Sequence, residues 1–493
     1  MKKLSELLCD IGYFYLVGHD GDPTITHLTH NSNTAQKGSL FFALPTTNKE
    51  SKTNTKQNVM NAIAKGAVAV VVEKEIMDLS NITQIVVKCA RTTMSLIAKA
   101  FNDNVCDEMN IIGITGTNGK TTTSHIIFHI LSANKIPCGI IGTLGTKTFP
   151  QIENLSSSLT TPDPIELHEI FAKLYSHGIE TVVMECSAHA IALKKLCGIQ
   201  FKQGIFTNLS MDHLDFFGDY RTYADTKINW FGSCMDLAIV NSDDAEYSTI
   251  RERCTSKKLL TYGLDREDAH LTAFDIDFGG LGTSFKAIIK KRSFKVATTL
   301  KGRFNVYNTL SAIMSCQDLG LKNSQIVRAL KTLPQVPGRF NTLTINDKIV
   351  IIDYAHTPDS LEQIITTSRE LVGDGGKLIT LFGCGGNRDI EKRSIMGEIS
   401  TRLSDSTIIT SDNPRDESPM SIMLQIEAGA KLNNDNYILI ENRKDAIYYG
   451  VTMAKKGDVL IIAGKGAEDY QEIKGKKIPF SDYEVVTSIT TKA

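Results

Sequence analysis

The chain has 493 residues, 42% hydrophobic and 22% charged with only 12 prolines, a composition of folded domains rather than disorder, and too long for one core, so two to four domains are expected. Its formal net charge of −1 excludes a global basic field for nucleic acid or a membrane surface, and small anionic ligands must be met by local clusters. No apolar run approaches a membrane span, so neither nucleic-acid binding nor membrane insertion is expected.

The opening stretch "MKKLSELLCDIGYFYLV" is interrupted by Glu6 and Asp10 where an export signal would be apolar. Ten cysteines are scattered without a C-x-x-C pair, so a cytoplasmic protein with reduced thiols and no structural zinc is expected. As far as residue 108, β-type runs ("GSLFFAL", "GAVAVVVE", "TQIVVK") alternate with helical stretches such as "KQNVMNAIAKG", predicting an α/β domain. From residue 109 the runs "IPCGIIGTLG", "ETVVMECSAH" and "QGIFTNLS" each end in small or polar residues, and ligands gather at such strand ends in parallel sheets. Around 270–300 the alternating "TSFKAIIKKRSFKVATTL" predicts a small antiparallel annex. Pro334, Pro337 and Gly338 mark a linker, after which "KIVIIDYA", "KLITLFGCGG", "STIITSDNP" and "DVLIIAG" alternate with helical patterns. The expected architecture is three α/β domains, 1–108, 109–336 and 337–493.

One stretch carries chemistry by itself. "NIIGITGTNGKTTTSHI" (110–126) runs an apolar strand into a Gly-rich turn, then Lys120, Thr121 and Thr122, then a helical pattern. The standard phosphate loop would place glycine at 114, which is Ile; the glycines here are Gly113, Gly116 and Gly119. The parts that matter are retained: Gly116-Thr117-Asn118-Gly119 offers backbone N–H groups, Lys120 a point charge for the β- and γ-phosphates, Thr121 a hydroxyl for Mg²⁺, and the helix its N-terminus. The plain alternative, a strand–helix turn without ligand, leaves Gly-Lys-Thr unexplained. Glu185, at the end of "ETVVME", reads either as a metal ligand or as a capping or ion-paired carboxylate. Taken alone, His213 in "MDHLD" reads as structural and Lys227 in "YADTKINWF" as a solvated surface residue.

"GITGTNGKTT" resembles the G-x-x-G-T-N-G-K-T loop of the Mur ligase family, the ATP-dependent amide-forming enzymes of peptidoglycan precursor synthesis. The resemblance continues in order through "LTTPDP" (159–164), "MECSAHAI" (184–191), "FTNLSMDHLDFFGDY" (206–220), "YADTKINWF" (223–231) and "GRFNVYNTLSAI" (302–313). Then follow "VPGRF" (336–340), "DYAHTPDS" (353–360), "GCGGNRD" (383–389), "SDNPRDESP" (411–419) and "GKGAEDYQ" (464–471). It implies a UDP-sugar-binding first domain, a central phosphate-loop ATPase domain and a Rossmann-like third domain that binds an amino acid. The implied reaction joins meso-diaminopimelate to UDP-N-acetylmuramoyl-L-Ala-D-Glu through an acyl phosphate made with ATP.

The resemblance also implies roles for individual residues. Lys120, Glu185, His213 and Lys227 would be catalytic, with Mg²⁺ held by Thr121, Glu185, His213 and a carbamate formed from CO₂ on Lys227. The nucleotide would meet the loop from Gly116 to Thr122, Asn305 and Asn308, and Arg339 and Asp353 from beyond the linker, with His356 nearby. The UDP-sugar peptide would meet Ser32, Thr47, Asn48, Lys49, Thr160, Thr161, Ser187 and Lys195. The amino acid would meet Arg388, Asp412, Asn413, Pro414, Arg415, Gly464 and Glu468. Two guanidiniums and a carboxylate suit an amino acid bearing a carboxylate and an ammonium group at each end; L-Lys lacks the far carboxylate.

The sequence departs from the family pattern at Asn31 and Asn33, which replace Asp and Arg around Ser32, and at Leu159, Lys195 and Ala467. Lys195 stands where Arg is frequent and cannot reproduce a bidentate grip. The competing readings are a folylpolyglutamate-type or other Mur ligase, the same ligation with L-Lys, and a phosphate-loop nucleotide switch; the paired "GGNRD" and "DNPR" argue against the first.

Overall fold

The structure is a computed structural model and describes residues 1–18, 21–46, 55–79, 81–153, 155, 159–233, 235–266, 268–279, 282–289 and 292–490. Runs such as Thr181–Glu185 and Val459–Ala463 are apolar on both faces and form strands buried throughout. Such strands need helices on both sides, which is the parallel α/β arrangement. Three main sheets result.

The first, in the order Phe14–Val17, Thr83–Val87, Ala67–Val72, Ser39–Phe42, His27–Thr29, is parallel except at its first pair. The last, Asn341–Ile345, Lys348–Asp353, Val459–Ala463, Leu378–Phe382, Ser406–Ile409, Tyr437–Leu439, is likewise parallel after one antiparallel pair. A separate hairpin of Tyr470–Ile473 and Lys476–Pro479 follows it.

Among the described residues the central sheet has ten strands. Asn110–Thr115 lies between Thr181–Glu185 and Phe201–Phe206, and successive strands are laid first on one side of it and then on the other. That reversal opens a crevice at its carboxyl end, where the Gly-rich loop begins. The expected annex of Leu271–Asp277, Thr283–Ile289 and Arg292–Thr298 is antiparallel but not separate. Leu271 and Thr272 pair in parallel with Tyr262 and Gly263, so these strands extend the central sheet.

The helix Lys120–Ala133 packs through Ile126, Ile127 and Ile130 into one core with Leu310 and Ile313 of the helix Arg303–Asp318. Both helices begin at the crevice, so this core fixes their N-terminal ends relative to each other. On the N-terminal side, Ser95 Oγ donates to the Lys194 carbonyl (2.7 Å) and Lys99 Nζ to that of Gly198 (3.0 Å). On the C-terminal side, Gly338 has φ +65°, and a Cβ there would sit 2.2 Å from the Ala467 nitrogen. The linker glycine therefore lets the chain lie directly on the "GKGA" turn. Among the described residues no helix is long and apolar enough to cross a membrane.

Candidate functional site

The loop after Asn110–Thr115 is held open by glycine. Gly116 and Gly119 have φ of 140° and 86°; a Cβ would meet Thr207 Oγ1 at 2.0 Å at the first and Asn308 Oδ1 at 2.4 Å at the second. Asn208 shapes the turn: its carbonyl accepts from the Thr117 N–H (2.8 Å) and its Oδ1 from the Asn118 N–H (2.9 Å). No side chain among the described residues caps the helix Lys120–Ala133, and its first residues line the cavity, where free N–H groups suit an anion. Lys120 Nζ donates to the carbonyls of Gly116 and Thr117, both at 2.9 Å. Burial pushes its pKa down, while Glu185 and Asp212 act to raise it.

The cavity before this loop holds about 560 Å³ and is closed from the third domain by Arg339, Asp353, His356 and Asp359. Asn118 Nδ2 and Ser210 Oγ donate to Asp359 Oδ2 (3.0 and 3.3 Å), and Arg339 Nη2 donates to Thr121 Oγ1 (3.1 Å). A larger hollow, about 910 Å³, lies against the annex; its Lys258 and Asp318 already pair at 2.9 Å, and no phosphate loop opens into it.

Glu185 is 1% exposed. It accepts from Thr121 Oγ1 (3.0 Å), from the Thr143 N–H (3.0 Å) and from Thr143 Oγ1 (3.0 Å). A buried carboxylate and two hydroxyls suit Mg²⁺, which takes few protein ligands and completes its shell with phosphates and water. Among the described residues no three His, Cys, Asp or Glu converge as a metal cage. His213 has left-handed backbone (φ 55°) and its Nε2 lies 3.3 Å from Asp212 Oδ2.

Lys227 is not a surface residue. It is 2% exposed, its Nζ donates to Tyr223 Oη at 2.6 Å and lies 4.4 Å from that ring's centroid, and the same hydroxyl bonds Thr117 Oγ1 (2.9 Å). Burial drives its pKa well below that of an ordinary lysine, and nearby Lys120 acts in the same direction. His213 approaches the same ring, 6.3 Å between centroids.

On the nucleotide side, Asn308 and Thr122 line the cavity. Asn305 does not: its Nδ2 donates to the Lys301 carbonyl and its Oδ1 accepts from Asn308 Nδ2 (3.0 Å), so it braces Asn308 from behind. Asp353 accepts from the Phe340 and Ala355 N–H groups, and burial pushes its carboxyl up against the pull of Arg339. Arg339 itself stacks on Tyr354, 4.5 Å from the centroid.

Of the residues expected to meet the UDP-sugar peptide, those of the central domain cluster. Thr160 Oγ1 bonds Thr143 Oγ1 (3.2 Å), and Thr161 Oγ1 donates to the Glu185 carbonyl (2.8 Å) and to Ser187 Oγ (3.2 Å). Lys195 pairs with Asp163 at 2.8 Å. Ser32 sits in a half-buried turn after His27–Thr29 and is not among the cavity-lining residues. Thr47, Asn48 and Lys49 lie outside the described residues.

The amino-acid group gathers at the carboxyl ends of the third sheet. A Cβ on Gly385 would lie 2.9 Å from Arg415 Nη1 and 3.7 Å from Arg388 Cγ, and one on Gly464 would lie 2.6 Å from Asp412 Oδ2. Asn413 Nδ2 donates to Glu468 Oε2 (2.9 Å), and buried Lys465 donates to both Asn413 Oδ1 (3.0 Å) and Glu468 Oε2 (2.9 Å). The Pro414 carbonyl packs against Gly386, 1.9 Å from where a Cβ would be. Arg388 reaches across to Asp215 of the central domain at 3.8 Å. Fully buried Arg393 ties the two loops by donating to Glu417 (2.8 and 2.9 Å) and to the Gly385 carbonyl (3.1 Å).

Sequence reasoning missed Thr143, Asn208, Asp212 and Asp359, all of which line the cavity. Each lies in or just after a strand-end motif already singled out, which was the available signal.

A phosphate loop at the switch point of one α/β domain, roofed by charged residues of another, defines a multidomain nucleotide-binding protein. Residues 114–316 match the Mur ligase middle domain and residues 338–466 the Mur ligase, glutamate ligase domain. The chain is 37% identical over 489 residues to UDP-N-acetylmuramoyl-L-alanyl-D-glutamate–2,6-diaminopimelate ligase 1 of Clostridium acetobutylicum, covering 98% of each chain. It is 38% identical over 496 residues to the ligase of the same name from Bacillus velezensis, again covering 98% of each. A solved structure of a UDP-N-acetylmuramoyl-L-alanyl-D-glutamate–2,6-diaminopimelate ligase superposes with TM-score 0.67 at 30% identity, covering 95% of each chain. Folylpolyglutamate synthase of Mycobacterium tuberculosis shares the fold at 16% identity, with TM-score 0.63 over 76% of this chain and 92% of that one. The chain belongs to the Mur ligase family.

Proposed function

We propose that the chain is an ATP-dependent ligase that joins meso-diaminopimelate to UDP-N-acetylmuramoyl-L-Ala-D-Glu in the cytoplasm. The single observation that carries this reading is the placement of two chemistries on facing domains. The phosphate loop with Lys120, Thr121 and Glu185 opens toward the third domain, where Arg388, Arg415 and Glu468 gather at strand ends.

The reaction has two displacements. A carboxylate oxygen of the glutamyl residue bonds to the γ-phosphorus of ATP as the bridging P–O bond breaks, giving an acyl phosphate and ADP. The amine of meso-diaminopimelate then attacks the acyl carbon, phosphate leaves with the C–O bond electrons, and the nitrogen loses a proton. Little covalent chemistry falls to the protein, so positioning and charge stabilisation dominate. Lys120 and the uncapped helix N-terminus hold the phosphates, while Asn308, Arg339 and Asp353 hold the nucleoside, with Asn305 behind. Thr160, Thr161, Ser187 and Lys195 hold the acceptor peptide beside Glu185, and Ser32 with Thr47 to Lys49 its UDP end. Mg²⁺, held by Thr121 and Glu185 and by His213 with a carbamate on Lys227, would neutralise the crowded phosphate oxygens. Burial favours the neutral amine at Lys227, the form that combines with CO₂, releasing a proton and leaving an anion.

Phosphate release should require ATP, Mg²⁺, the UDP-sugar dipeptide and the amino acid together; release without the amino acid would favour a nucleotide switch. A site built for the far carboxylate of meso-diaminopimelate should reject L-Lys by roughly 10⁴–10⁵ in kcat/KM. Arg415→Ala should lose most of that preference. Equal values for the two amino acids in the unaltered protein would remove meso-diaminopimelate from the reading.

A further inference from the structure

The hairpin Tyr470–Ile473/Lys476–Pro479 is stitched to the loop that carries Arg415. Gln471 Nε2 donates to the Asp412 carbonyl (2.8 Å) and the Glu472 N–H to Asn413 Oδ1 (2.9 Å). The Arg415 N–H donates to the Glu472 carbonyl (3.0 Å) and the Lys474 N–H to that of Arg415 (2.8 Å). Arg415 adopts left-handed backbone, φ 51°, and this double strand-like clasp and the side-chain contacts help to hold it there.

The side chains follow the backbone. Arg415 Nε donates to Glu472 Oε2 at 3.0 Å, with side-chain exposures of 21% and 30%. Nη1 donates to the Gly386 carbonyl at 2.7 Å. Nη2 has no hydrogen bond among the described residues and is left for a ligand. Glu472 pairs with no other cation among them, and the neighbouring Lys465 is taken up by Glu468 at 2.9 Å. Arg415 and Lys465 thus each have a carboxylate partner before any amino acid enters.

We propose that Glu472 is a specificity-determining residue of this pocket: a built-in counter-ion that orients Arg415 through Nε and attenuates its pull on the far carboxylate of the amino acid. The proposal rests on the ligation reading, because Arg415 is taken there as the group that meets that carboxylate. A carboxylate arriving at Nη2 is attracted by the guanidinium and repelled by Glu472, and in a partly buried site neither term is fully screened. The pocket therefore selects by hydrogen-bond geometry more than by net charge. It tolerates a neutral far-end carboxamide better than a bare arginine would.

Glu472→Gln tests this, since glutamine keeps an oxygen to accept from Nε and deletes only the charge. KM for meso-diaminopimelate should fall about three- to tenfold, the size of one partly screened like-charge contact, while KM for ATP holds. The kcat/KM ratio of meso-diaminopimelate over its far-end monoamide should rise by a similar factor. A residue that merely braced the hairpin would alter thermal stability without moving that ratio. An unchanged or raised KM with an unmoved ratio, while Arg415→Ala still abolishes selectivity, overturns the role of Glu472. If Arg415→Ala leaves selectivity intact, the pocket assignment itself falls.

Discussion

Replacing Lys227 by Met separates its place in the fold from its place in the chemistry. The side chain is 2% exposed, and its nitrogen has one hydrogen bond among the described residues, to Tyr223 Oη at 2.6 Å. Burying an ammonium costs several kcal/mol. Burial therefore favours the neutral amine, whose single hydrogen bond contributes about 0.5–1.5 kcal/mol, a loss that the buried thioether of methionine offsets with apolar contact. Methionine has similar length and no charge to desolvate, and Tyr223 keeps its bond to Thr117. Lys227→Met is therefore expected to melt at the same temperature or slightly higher. Turnover should nevertheless fall about 10²–10³-fold, the weight of one preorganised electrostatic contact in a transition state. Calorimetry reads the first outcome and phosphate release at saturating substrates the second. Carbon-13 NMR after equilibration with labelled bicarbonate should give a carbamate signal in the unaltered protein and none in the variant. Lys227→Arg should restore nothing, because it cannot become an anion, and Lys227→Glu should recover a little. A Lys227→Met protein within about threefold of normal turnover, well short of that electrostatic weight, would refute the argument.

Lys120→Ala should lose about 10²–10³ in turnover with little change in melting temperature, since the two carbonyls it bonds border an open cavity; retention of a tenth of the activity would count against its phosphate role. His168 is 1% exposed, its Nε2 has no hydrogen-bond partner among the described residues, and burial pushes its pKa from 6.5 down to about 3. Between those values the unfolded chain binds the extra proton, so stability falls on acidification, by about 2 kcal/mol at pH 5 relative to neutrality. His168→Leu should remove that part of the pH dependence of denaturant midpoints, and parallel curves for the two proteins would show that it does not arise there.

The phosphate loop was legible because Gly-Lys-Thr after an apolar strand is a local pattern, and local patterns survive without knowledge of the fold. Lys227 was not legible from its own neighbourhood: a lysine in a polar-looking helix becomes buried only when Tyr223 and Phe231 of that helix pack into the core. Asn305 and Asn308 are indistinguishable in "RFNVYN", yet only the second faces the cavity, a matter of helix rotation. The annex was foreseen as antiparallel, but its fusion to the central sheet rests on the pairing of Leu271 with Tyr262 and Thr272 with Gly263, which periodicity cannot encode. Contacts such as Asn118 with Asp359 join residues 241 apart, and Arg415 with Glu472 residues 57 apart. Sequence motifs identified one partner of each pair and left the pairing to the fold.

Arg339, Asp353 and Asp359 all lie beyond the linker at Pro337 and Gly338, yet they line the cavity of the phosphate loop. A chimera cut at that linker would import a foreign share of this cavity's lining along with new strand-end loops, and Gly338 would have to seat against an unfamiliar "GKGA" turn. The smaller exchangeable unit is the set of three segments that Arg393, Arg415 and Glu472 knit together: 383–389, 411–417 and 470–479. Transplanting those together, and leaving the rest of the third domain in place, is the route by which the amino-acid choice proposed for this pocket can be re-engineered without disturbing Arg339, Asp353 and Asp359 at the phosphate-loop cavity.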